Sequence, residues 1–145
     1  MECVAQVNVI VDTSVWSLAL RRGAPRETPP ERELAELVRE GRVLIAGPIR
    51  QEILSGVRAP EQFKALRERL RAFPDLALEL DDYEQAAACF NRCRSKGIQG
   101  SNTDFLLCAL ALRRHAAILT TDNDFDHYAR VLRIKLHAPR PGLSA

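Results

Sequence analysis

Four carboxylates lie far apart in this 145-residue chain, yet each stands beside an apolar segment. Asp12 ends the run Val7-Asn8-Val9-Ile10-Val11. Glu52 lies in the helix that follows Val43-Leu44-Ile45-Ala46, one turn or so from the end of that strand. Asp104 opens the run DFLLCALAL, and Asp122 comes two residues after Ala117-Ile118-Leu119-Thr120. Carboxylates brought together repel one another, and burial raises their pKa values unless a cation neutralises them. Ligation by oxygen alone suits a hard ion, Mg²⁺ or Mn²⁺, rather than zinc. Each acid also has a plainer use. Asp12 would cap a following helix, as would Thr13 or Ser14. Glu52 would be an ordinary solvated helix residue. Asp104 completes Ser101-Asn102-Thr103-Asp104, which reads as a capping box, and Asp122 with Asn123 and Asp124 reads as a turn and cap.

The elements that must position these acids follow from the apolar periodicity. Strands are predicted at 7–11, 43–46, 76–80 and 117–120, with an edge-type strand over 132–138. A helix from Thr13 to about Arg22 is broken by Gly23–Pro25. Thr28-Pro29-Pro30-Glu31 then starts another that runs to Gly41. Gly47-Pro48 opens a helix ending near Gly56, and Pro60 a helix with Phe63, Leu66, Leu70 and Phe73 on one face. Asp82-Tyr83-Glu84-Gln85 reads as the start of a helix reaching Lys96. Residues 104–112 are apolar all round and belong in the core, and a short helix covers 124–131. Strands alternating with helices imply an α/β fold with a central parallel sheet covered on both faces. In such sheets ligands bind beyond the carboxyl ends of the strands. Asp12, Glu52, Asp104 and Asp122 all fall towards that rim. The chain divides into one domain over 1–138 and a C-terminal tail, 139–145, expected to be loose because of Pro139 and Pro141.

Composition narrows the function classes. With 46% hydrophobic and 28% charged residues this is an ordinary globular chain, and no apolar run approaches the ~20 residues of a membrane span. No basic, signal-like segment precedes the first strand, so a cytoplasmic location is expected. Net charge is only +2, which neither announces nor forbids a polyanionic partner. Cys3, Cys89, Cys93 and Cys108 lack zinc-ligand spacing and read as free, largely buried thiols. His115, His127 and His137 offer no pair at useful spacing. Trp16, Phe105 and Phe125 read as core.

The ordered set Asp12-Thr13-Ser14-Val15, Glu52, Thr103-Asp104 and Leu119-Thr120-Thr121-Asp122-Asn123-Asp124-Phe125 resembles a PIN domain, and most of all the VapC-type toxins of bacterial toxin–antitoxin pairs. The resemblance runs from Val7 to Leu136. It implies a three-layer α/β/α sandwich, a Mg²⁺- or Mn²⁺-dependent endoribonuclease, often a homodimer, and a VapB-like antitoxin whose tail occupies the active-site groove. By position, Asp12, Glu52, Asp104 and Asp122 match the family's acidic quartet. Thr13 or Ser14 matches its small hydroxyl and Thr120 the threonine before the last acid. Asp124 matches an acid present in only part of the family.

The chemistry this implies is RNA phosphodiester hydrolysis by metal-activated water. Asp12 and Asp104 are the first choice as direct ligands, with Asp122 binding directly or through water and Glu52 orienting the attacking water. Arg21, Arg22, Arg26, Arg50, Arg94 and Lys96 are candidates to track an RNA backbone. Two other classes compete. A haloacid-dehalogenase-like phosphotransferase also places Asp after its first strand but needs a second Asp two residues on, where this chain has Ser14. A non-cleaving RNA- or partner-binding module on the same fold would gain nothing by setting four acids beside a polyanion. A dinucleotide site lacks its glycine-rich turn.

Overall fold

The computed structural model describes residues 6–20 and 28–141. Five strands form one parallel sheet, β1 (Val9–Val11), β2 (Val43–Ala46), β3 (Asp75–Leu76), β4 (Ala117–Leu119) and β5 (Lys135–Leu136), in the order β3-β2-β1-β4-β5. Seven helices among the described residues flank it: α1 (Thr13–Ala19), α2 (Pro29–Arg39), α3 (Gly47–Leu54), α4 (Pro60–Leu70), α5 (Leu80–Ser95), α6 (Asn102–Arg114) and α7 (Asp124–Val131). The α/β/α layering inferred from sequence is the observed architecture.

Strand β1 lies at the centre, covered everywhere: Val9, Ile10 and Val11 are fully buried. It pairs Val9 with Val43 on one side and with Ala117 on the other, and Val11 with Leu119. Such continuous apolar strands are characteristic of sheets buried on both faces. Helix α6 is the other core element, with every residue from Phe105 to Ala111 buried. Trp16 and Phe125 are buried too, Trp16 meeting Phe73 edge-on. Cys89, Cys93 and Cys108 are buried free thiols, and burial pushes all three above their ordinary pKa.

The third strand is shorter than its composition suggested. It ends at Leu76, and the next helix begins at Leu80, ahead of the start read at Asp82. The cause is tertiary. Asp82 accepts the Glu79 N–H at 2.9 Å and thereby closes a capping box one turn earlier. Arg113 of α6 donates to both Asp82 oxygens, at 2.6 and 2.8 Å, and to the Ala77 carbonyl at 2.9 Å. Residues 77–79 are thus drawn towards α6 rather than along β2. The first and last strands are likewise shorter than 7–11 and 132–138, and α1 ends at Ala19; Arg21, Arg22 and Arg26 lie outside the described residues.

The Arg113 hydrogen bonds hold the Asp82 carboxyl below its ordinary value against the opposing effect of burial. A carboxylate depressed in the folded state stabilises the protein above its unfolded pKa, about 4, and that stabilisation disappears as pH falls through the lowered value. Asp82→Asn is therefore expected to be less stable than wild type at neutral pH, with the gap in urea midpoints closing as pH falls below about 4. A gap that widens in acid would refute this account.

Within the C-terminal segment, Arg140 is held in place. Its guanidinium donates to Glu33 and Glu40, and His137 meets the same buried Glu33. Burial alone would raise the Glu33 carboxyl, yet the Arg140 and His137 hydrogen bonds bring it below its usual range.

Candidate functional site

The site is built outward from Asp12. Its N–H donates to the Leu119 carbonyl at 2.9 Å, carrying the β1–β4 ladder one bond past the strand and setting Asp12 beside Thr120. Asp12 occupies the N-cap position of α1, but its side chain makes no capping bond. Instead Oδ2 accepts two hydroxyl donors, Ser14 Oγ at 2.9 Å and Thr120 Oγ1 at 2.8 Å. Only 8% exposed, this carboxylate is oriented by its neighbours and is not used to start the helix. The capping alternative for Asp12 is thereby removed.

The two hydroxyls tie the neighbouring loop to the same point. Ser14 Oγ accepts the Thr121 N–H at 3.1 Å, and Thr120 Oγ1 accepts the Asp122 N–H at 3.0 Å. Asp122 Oδ1 in turn accepts the Asp124 N–H at 2.9 Å, an Asx turn that leads into α7. Asp122 therefore does part of the capping work read from its sequence, with one carboxylate oxygen. Asp124 is exposed.

Asp104 stands at the third position of α6. Ser101 is the N-cap and accepts the Asp104 N–H at 3.1 Å. The Asp104 carboxylate points its Oδ2 at the phenol of Tyr128, which donates at 2.8 Å. Burial raises this carboxyl above its ordinary range. The Tyr128 and Ser101 hydrogen bonds oppose that rise, and repulsion from Asp12 and Asp122 adds to it. Glu52 lies at the exposed edge of α3, where Thr13 Oγ1 donates to its Oε2 at 2.6 Å. Through Thr13, α3 is joined to the residue that follows Asp12.

Asp12 and Asp122 are thus joined through Thr120, Glu52 is attached through Thr13, and Asp104 stands at the start of α6. None of the four takes part in an ion pair among the described residues. As they stand, no three His, Cys, Asp or Glu side chains among the described residues form a ready three-ligand cluster. Mg²⁺ keeps several waters and takes only one or two carboxylates directly, so it needs no such ready-made cluster. A hard, oxygen-only donor set carrying surplus negative charge is what such an ion requires.

The basic candidates fare differently. Arg50 donates to Asp75 Oδ1 at 2.7 Å and to the Phe73 carbonyl at 2.6 Å, so its guanidinium is committed to anchoring β3. Arg94 and Lys96 are exposed on α5 and beyond it, and His127 is exposed. Sequence reasoning overlooked Tyr128. The available signal was a tyrosine inside an otherwise core-facing helix stripe, since a buried phenol requires a hydrogen-bond partner.

A parallel α/β sheet with acids at its carboxyl rim that make no ion pair among the described residues defines the class of fold and site. The family model for the PIN domain matches residues 9–131. Over 130 residues, 88% of this chain, the sequence is 31% identical to the VapC ribonuclease Mb1587 of Mycobacterium bovis and to ribonuclease VapC11 of Mycobacterium tuberculosis, covering 96% of each. The chain belongs to the PIN domain family. Among solved structures it is similar to FitAcB from Neisseria gonorrhoeae, with a TM-score of 0.72 and 20% identity over 90% of this chain and 97% of that one. It is also similar to VapBC2 from Rickettsia felis bound to a promoter DNA fragment, with a TM-score of 0.71 and 16% identity over 89% and 96%. At that identity the structural likeness speaks for the fold.

Proposed function

We propose that this protein is a VapC-like toxin: a Mg²⁺- or Mn²⁺-dependent endoribonuclease that hydrolyses RNA phosphodiester bonds and is inhibited by a VapB-like antitoxin. The observation that carries the reading is the treatment of Asp12. A nearly buried carboxylate, not used as a helix cap, is oriented by two hydroxyls and makes no ion pair among the described residues. Likeness to named VapC ribonucleases supports the substrate class. A solved toxin–antitoxin complex among the similar structures supports the partner.

In this reading Asp12 and Asp104 hold the cation directly, Asp122 directly or through water. When bound, the ion supplies Lewis acidity, making a water nucleophilic near neutral pH and neutralising charge that gathers on the phosphate. Ser14 and Thr120 keep Asp12 in a single orientation, so no reorganisation is needed as charge develops. Glu52, fixed by Thr13, would orient the attacking water and receive its proton, while the P–O3′ bond breaks and the leaving 3′-oxygen takes a proton from solvent. Asp124 remains auxiliary. RNA approaches the rim through phosphate contacts, for which Arg21 and Arg22 are the candidates, since Arg50 is engaged with β3. A cytoplasmic homodimer is what the resemblance to VapC-type toxins implies. No helix among the described residues is long and apolar enough to cross a membrane.

Incubation of purified protein with structured RNA, with and without Mg²⁺, tests the reading. Cleavage is expected only with the cation, and the products are expected to carry 5′-phosphate and 3′-hydroxyl ends, because water attacks without help from the ribose 2′-hydroxyl. Cyclic 2′,3′-phosphate ends formed in the presence of chelator would overturn it.

A further inference from the structure

The strongest feature that this function leaves unexplained is the contact between α7 and the start of α6. Tyr128 is completely buried, and its phenol reaches back 24 residues to donate to Asp104 Oδ2 at 2.8 Å. Its ring is held between Phe105, at 4.8 Å between centroids, and Phe125, at 5.1 Å. Phe105 immediately follows Asp104, so the same packing that holds the ring also holds the backbone carrying the carboxylate. Gly100 completes the arrangement. A Cβ at that position would lie 2.2 Å from the Tyr128 hydroxyl and 2.7 Å from Cζ. No real structure tolerates such contacts, so the phenol occupies the space that any side chain at position 100 would fill. Gly100 directly precedes Ser101, the cap of α6, which places the void at the foot of the helix bearing Asp104.

We propose that Tyr128 is a positioning residue for Asp104, and that Gly100 is glycine to let the phenol reach it. The inference rests on the reading of Asp104 as a cation ligand and adds what aims that ligand. An aspartate free to rotate offers a divalent ion many unproductive geometries. One with an oxygen tied to a rigid, buried donor offers a single orientation. Partners that orient ligands in this way typically matter by about 10- to 100-fold in metal affinity or activity. The bond is charge-assisted and short enough to hold that orientation. Tyr128 itself has no exposed surface through which to touch RNA, so its effect on cleavage passes through Asp104.

Calorimetric titration of Mn²⁺ into wild type, Tyr128→Phe, Gly100→Ala and Asp104→Asn, paired with RNA cleavage kinetics, tests this. Tyr128→Phe keeps the ring and its aromatic contacts and removes only the donor. It is expected to weaken Mn²⁺ binding at least about tenfold and to lower kcat similarly, with the KM for RNA unchanged. Gly100→Ala reaches the same bond from the opposite side by displacing the phenol, and is expected to show the same loss. It serves alone if the phenylalanine variant does not fold. Wild-type Mn²⁺ affinity in a folded Tyr128→Phe or Gly100→Ala protein, with binding lost in Asp104→Asn, would overturn the positioning role and leave the metallonuclease standing. Mn²⁺ binding by wild type that Asp104→Asn leaves intact would overturn both.

Discussion

Asp12→Asn and Asp104→Asn are each expected to lower RNA cleavage by at least about 100-fold while leaving the protein folded. Asparagine keeps the size and planarity of aspartate, and its carbonyl oxygen still accepts from Ser14 and Thr120 at position 12, or from Tyr128 at position 104. What it removes is the charge that draws a cation. Had these acids been helix caps, asparagine would serve nearly as well, because the two residues are near-equivalent there. The comparison therefore separates a capping role from a ligand role without unfolding the protein. Far-ultraviolet circular dichroism and a melting curve establish the fold, and initial cleavage rates establish the loss. Full activity in both variants would sink the metal assignment.

The rim position of the candidate acids was legible in the sequence because strand-terminal position is a local property. An apolar run of three to five residues identifies a strand buried on both faces, and the residue after it lies at the carboxyl rim whatever the rest of the fold does. The place of Asp12 follows from that alone, that of Asp122 from its nearness to the end of β4, and that of Asp104 from the all-apolar run it leads. What was not legible depended on partners distant in sequence. The early start of α5 is set by Asp82, which takes both the Glu79 N–H and the guanidinium of Arg113, 31 residues away. Arg50 read as a rim cation because nothing nearby in sequence marks Asp75 as its partner. Arg140 sits in a proline-flanked segment that composition marks as loose, yet a buried Glu33 in α2 receives it. Tyr128 and Gly100 make sense only together, across the gap between α6 and α7. Local periodicity cannot report a pairing of that kind.

Adding saturating Mn²⁺ is expected to raise the melting temperature of wild type by about 5–10 °C, a larger change than any single surface contact would produce. The size follows from linkage. A ligand at a hundredfold excess over its dissociation constant stabilises the state that binds it by about 2.7 kcal/mol, and 1 kcal/mol moves a domain of this length by roughly 2–4 °C. The direction follows from the site. In the metal-free protein the burial of Asp104 and its repulsion by Asp12 and Asp122 oppose folding, and a cation removes that cost on binding. Asp104→Asn should reverse the pattern. Without metal it is expected to melt at or slightly above wild type, because a half-buried, repelled charge has gone. With Mn²⁺ its curve should scarcely move. Wild type and variant would then exchange order on the temperature axis as metal is added, and a general loss of stability cannot produce such a crossing. A wild-type curve indifferent to millimolar Mn²⁺, or a variant that shifts as far as wild type, would show that the aspartates at this rim do not hold the cation.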